Sequence, residues 1–140
     1  MPGLQSGVAR MAQRAFIENA HPQPHHRPMR PVDLVHLAKQ CLGDENLELE
    51  VLRLFDTTLA TYFGRLKLAT AFDDLAINLH SIKGASAGVG AWNVAELAAS
   101  LEKDLQAGRP LKSEKIDDLG MAIEEVRDFV ARMLANSEEA

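Results

Sequence analysis

The sequence predicts an all-α fold: an antiparallel four-helix bundle with an additional short N-terminal capping helix. Three observations point there. From Pro31 onward the apolar residues recur at spacings of three and four, and Pro110 alone interrupts them. Glycines and capping residues punctuate that pattern at helix-length intervals. No stretch alternates with the period of two that a half-buried strand requires.

The elements follow in order. A first helix spans about Pro31 to Cys41, with proline suited to the first turn and Gly43 just past the end. Asp44 is the expected N-cap of a second, long helix reaching about Ala69, with Leu52, Phe55, Leu59, Phe63 and Leu66 on one stripe. Thr70 with Asp73 fits a capping box for a third helix that runs to the glycines at 88 and 90. Asn93 with Glu96 repeats the box, and Trp92 with Leu97 has hydrophobic-staple spacing, so a fourth helix follows and stops at Gly108 and Pro110. Ser113 is the expected cap of a fifth helix whose stripe is Ile116, Leu119, Ile123, Val126, Val130 and Met133. Amphipathic helices joined by short loops pack as antiparallel neighbours.

Five of the six prolines fall within the first 31 residues, so residues 1–30 read as a flexible arm, 31–136 as the bundle and 137–140 as a tail. Residues 1–30 hold four arginines and one acid, whereas 31–140 hold 11 basic and 19 acidic residues. An acidic bundle repels phosphate backbones, which disfavours nucleic acid and favours protein partners. Cys41 is the single cysteine, so no internal disulfide can form, and a reducing cytoplasm is the natural setting. No apolar run approaches the roughly 20 residues of a membrane span. A monomer without cofactor or metal is expected. His21, His25 and His26 lie in the proline-rich arm, which lacks an ordered scaffold for a metal.

The third helix carries the chemistry. At about 100° per residue, Leu75, Leu79, Ile82, Ser86 and Val89 face one way, with Phe72 at the edge, and the centre of that stripe lies roughly 140° from His80. His80 therefore faces solvent. Ala76, Ile77, Lys83, Gly84 and Ala87 share its side, so the imidazole stands over a low surface that another protein can approach. Glycine inside a helix costs about 1 kcal/mol relative to alanine. Access for an incoming active site is the simplest compensation at Gly84. Lys83, one turn from His80, brings positive charge to where a phosphoryl group would arrive. Imidazole suits that chemistry because it offers a nucleophilic nitrogen near neutral pH without a dedicated base.

His80-Ser81-Ile82-Lys83-Gly84-Ala85-Ser86-Ala87-Gly88-Val89-Gly90-Ala91 resembles the HxxKGxxxxxG motif of the histidine phosphotransfer (HPt) family of two-component phosphorelays. The helical layout over 31–136 resembles that family as well. Ala85 stands where serine is common, and Gly88 where asparagine is common. The resemblance implies phosphorylation of His80, a phosphate-side Lys83, a docking glycine at Gly84 and a helix-ending Gly90. It also implies receiver domains of response regulators and a hybrid sensor histidine kinase as partners. Any Mg²⁺ would belong to the receiver, and the chain itself would be a carrier without kinase or ATPase activity.

Rival readings are an enzyme, a dimerising histidine domain and a passive helical adaptor. Cys41 and the serines lack evident His and acid partners, and no glycine-rich phosphate loop occurs. A dimerising domain would carry an acid directly after the histidine, where this chain has Ser81. A non-phosphorylated adaptor would retain its function when His80 is replaced.

Overall fold

Asp33 starts the first helix: its carboxylate accepts the His36 backbone N–H at 3.1 Å, so α1 covers Leu34–Gln40 and begins later than the expected Pro31. This arrangement comes from a computed structural model that describes residues 30–139, and the expected arm, apart from Arg30, lies outside the described residues. After α1, Leu42 and Gly43 both take positive φ (55° and 77°), and their N–H groups return to Lys39 and Ala38. Asp44 then caps α2, Glu45–Leu68, by accepting the Leu47 N–H at 3.1 Å, as the sequence predicts.

The next two helix starts differ from the expected capping boxes. Ala69 and Ala71 are both extended, so α3 covers Phe72–Val89 with Ala71 at the N-cap and no side-chain cap, one residue beyond the reach expected for Thr70. Asp73 and Asp74 lie in its first turn instead, where the helix dipole favours acids. Gly90, at φ 89°, ends α3 and turns the chain straight into α4, Trp92–Gln106. Ala91 is the N-cap, so Asn93 already sits inside the helix and cannot cap it. Trp92, expected just before the cap, is instead the first residue of α4; its indole N–H donates to Asp33 Oδ2 at 3.0 Å, and the His36 ring stands edge-on at 4.8 Å.

The last helix, α5, covers Ser113–Glu139 and so runs on into the expected tail 137–140. Ser113 is its first helical residue rather than a flanking cap, and the Lys112 carbonyl accepts from Lys115 and Ile116. No strand occurs among the described residues.

α2, α3, α4 and α5 form a closed ring, each packed against two neighbours, and α1 lies against α3 and α2. The stripes meet in one core that includes Leu52, Leu59, Leu79, Ile82, Leu101, Leu119 and Ile123. Burying each such side chain contributes about 2 kcal/mol of transfer free energy. Ser86 faces inward and is fully buried, as the helical wheel predicts. Around the rim, Arg127 bridges to Asp56 at 2.8 Å between α5 and α2, and Lys115 to Asp104 at 2.6 Å between α5 and α4.

α1 closes the end of the bundle where α3 stops. The Asp33 N–H donates to the Gly90 carbonyl at 2.9 Å, and His36 Nε2 lies 3.2 Å from the Gly88 carbonyl. The contact is tight: a Cβ on Gly90 would sit 3.0 Å from Asp33 Cβ and 3.1 Å from the Asp33 carbonyl oxygen.

Candidate functional site

The site is built on α3, whose inward stripe fixes what its opposite side presents. With Leu79 and Ile82 completely buried, the residue between them in azimuth on the far side, His80, projects outward with its side chain 70% exposed. Gly84 and Ile77 are exposed beside it, and Ala76 and Ala87 are half-buried. All four expected docking positions therefore share one face with His80. A Cβ on Gly84 would meet nothing within 4 Å, so no packing among the described residues requires a glycine there. Its helix-weakening cost has no structural return inside the bundle.

α4 supplies a residue that the motif does not contain. Glu102 Oε2 lies 3.0 Å from His80 Nδ1, and Glu102 Oε1 lies 2.7 Å from Lys83 Nζ. One carboxylate thus bridges the two residues expected to handle a phosphoryl group. Its side chain is only 17% exposed. Burial pushes the Glu102 carboxyl up, but the hydrogen bonds from Lys83 and His80 outweigh burial and hold it below the usual carboxylate range. Glu102 is accordingly ionised at neutral pH. Among the described residues, no hydrogen bond engages His80 Nε2, which is left to solvent.

Sequence reasoning alone missed Glu102. It follows the buried Leu101 and stands one turn beyond the buried Ala98, at the edge of the α4 stripe. An acid at such an edge ordinarily reads as solvated, and only the packing of α4 on α3 turns it toward His80. Asn78 was missed too: it is 5% exposed on the inner side of α3, and its Nδ2 donates to the Asp74 carbonyl at 2.8 Å. The described residues hold no group of three or more His, Cys, Asp or Glu suited to a metal ion. No described helix is long and apolar enough to cross a membrane.

Comparison with known proteins bears on the family and the fold. The profile of the Hpt domain matches residues 50–135, which include the whole His80 face and Glu102. Among solved structures, the chain is similar to the HPT domain of an Hpt sensor hybrid histidine kinase from Shewanella. That likeness has a TM-score of 0.67 at 20% sequence identity, covering 76% of this chain and 96% of that one, and it concerns the fold. None of the curated protein sequences compared with the chain matches it.

Proposed function

The chain belongs to the Hpt domain family, and from that premise we propose that His80 is the residue phosphorylated and dephosphorylated as the protein relays phosphoryl groups between receiver aspartates. The single observation that carries the proposal is the outward imidazole, 70% exposed and with no hydrogen bond to Nε2 among the described residues, on a surface kept low by Gly84. A receiver acyl phosphate docks over Gly84, Ala76, Ile77 and Ala87, and Nε2 attacks the phosphorus in line. Lys83 supplies positive charge close to the transferred oxygens. A second receiver aspartate later takes the group back from nitrogen. The work done by the protein is positioning and electrostatics.

The partners are receiver domains and a hybrid sensor histidine kinase in the cytoplasm. The chain acts as a carrier without kinase or ATPase activity of its own. The test is incubation with a radiolabelled phospho-receiver, comparing wild type with His80→Gln. Acid-labile, base-stable label on the wild type only supports the proposal. Label that survives in His80→Gln, or a wild type that never takes label, refutes it and leaves the adaptor reading.

A further inference from the structure

We propose that the turn between α4 and α5 is a binding site for a phosphate-sized dianion, on the side of α4 away from His80. Residues 103–115 hold four basic residues and two acids, whereas the rest of 31–140 holds seven and seventeen. A local excess of positive charge on an otherwise acidic bundle concentrates small anions there. Glu102 and Asp104 are two residues apart, about 200° around α4, so the first turns to α3 and the second to α5. The site therefore shares no residue with the His80 face.

The local sequence builds it. Gly108, at φ 77°, reverses the chain after α4; the Arg109 N–H returns to the Asp104 carbonyl at 2.9 Å and the Gly108 N–H to the Leu105 carbonyl at 3.1 Å. That closure brings the Arg109 guanidinium back to Asp104, with Nε and Nη2 each 3.0 Å from Oδ1. From α5, Lys115 reaches across to Asp104 Oδ2 at 2.6 Å and to Ser100 Oγ at 2.9 Å. Asp104, Arg109, Pro110, Lys112 and Lys115 line a cleft of about 170 Å³. Liquid water occupies about 30 Å³ per molecule, so the cleft has room for roughly five waters, and hence for one tetrahedral oxyanion.

One carboxylate there faces three cations. Hydrogen bonds from Lys115 and then Arg109 hold the Asp104 carboxyl below the usual carboxylate range, so it is ionised and cancels the charge of only one of them. Among the described residues, neither the Lys112 ammonium nor Nη1 of Arg109 has a hydrogen bond or ion pair. The Lys115–Asp104 pair suffices to fasten α4 to α5, and Lys112 takes no part in it. The donors left open are a planar guanidinium edge and an ammonium at one cleft, a set matched to the oxygens of a phosphate group. An anion bound between them also relieves the repulsion among cations that Asp104 leaves uncancelled.

The test is titration of the full ¹⁵N-labelled chain, at constant ionic strength, with inorganic phosphate and separately with glycerol 3-phosphate. The signals followed are the Arg109 Nε–H and the amides of residues 112–115. Saturable shifts are expected, with a dissociation constant on the order of 1 mM. Binding of glycerol 3-phosphate as tight as that of phosphate, or tighter, identifies a small phosphomonoester as the source of the dianion, and weaker binding identifies free phosphate. Acetate is expected to leave the signals in place. Lys112→Gln breaks no contact among the described residues and is expected to weaken binding by about 3- to 5-fold, and Lys112→Gln with Arg109→Gln by about 10- to 25-fold, in keeping with exposed ion pairs. Lys39→Gln, on α1, makes the same change in net charge and is expected to leave binding unchanged. Shifts that rise without saturating, that acetate reproduces, or that persist at wild-type affinity in the Lys112→Gln and double variants overturn the proposal and leave the cations as a fastening between α4 and α5.

Discussion

Replacing Gly84 by alanine pulls folding and transfer in opposite directions. Gly84 lies inside α3, twelve residues from its start at Phe72 and five from its end at Val89. An added Cβ meets nothing within 4 Å. The substitution therefore recovers the helix-propensity deficit of glycine, about 1 kcal/mol, without overpacking. For a folded unit of this size that raises the melting temperature by roughly 4 °C. At the docking surface the same methyl stands one turn from His80, in the path of the receiver. Forcing a methyl into a close-packed contact typically costs about 1–3 kcal/mol, which slows transfer by roughly 5- to 150-fold. Thermal unfolding by circular dichroism measures the first effect, and initial rates of label transfer against receiver concentration measure the second. Gly64→Ala is the control, because its Cβ also meets nothing within 4 Å but it lies on α2. It gains the same stability with transfer unchanged. A Gly84→Ala protein that transfers at the wild-type rate refutes the access argument, and one that melts below wild type refutes the propensity argument.

At Gly120, by contrast, an alanine Cβ would lie 2.9 Å from Phe63 Cζ, so the ring must swing out. Gly120→Ala is expected to be at least about 1 kcal/mol less stable than Gly64→Ala, with Phe63→Leu restoring most of the difference in a double-mutant cycle measured by denaturant unfolding. Leu42 is 93% exposed and holds φ 55°, a region disfavoured for leucine. Leu42→Asn, with little burial to lose, should stabilise by about 0.5–1 kcal/mol, read as a higher denaturation midpoint at constant slope. Burial pushes the Asp33 carboxyl up, but hydrogen bonds from the Trp92 indole and the His36 backbone outweigh it and hold it low. A depressed folded value means its contribution is present above the unfolded carboxylate range and is lost as pH falls through the lower folded value. Trp92, the single tryptophan, should report that loss as an acid fluorescence transition below the usual aspartate range, and the transition should be absent in Asp33→Ala.

Wherever a long-range stripe dictated the outcome, the sequence predicts the fold well. Leu52, Phe55, Leu59 and Leu66 on α2, and Leu119, Ile123, Val126 and Val130 on α5, are buried as their spacing requires. Asp44 caps as expected because its carboxylate reaches a backbone N–H only three residues on. The Thr70 and Asn93 boxes fail for a physical reason: cap patterns are local, and the extended crossover at Ala69–Ala71 and the left-handed turn at Gly90 decide where each helix begins. At the site, an outward His80 and inward Ser86 follow from one helical wheel. Glu102 does not, since a wheel holds no information about which edge of a neighbouring helix it will meet. Trp92 is a similar case: its partners Asp33 and His36 are distant in sequence and come together only because α1 folds back over the end of α3.

The close approach of Asp33 to Gly90 divides the family's short signature into two parts under different constraints. The half from His80 to Gly84 faces outward and answers to other molecules. Gly90 answers to the chain's own N-terminal turn, through both its φ of 89° and the 3.0 Å gap to Asp33 Cβ. Positions 33 and 90 should therefore vary together across relatives. In a relative that lacks the first helix, asparagine becomes sterically tolerable at position 90 because only the torsional demand remains. Strict retention of glycine there would serve as a sequence marker for the folded-back segment rather than for phosphoryl chemistry.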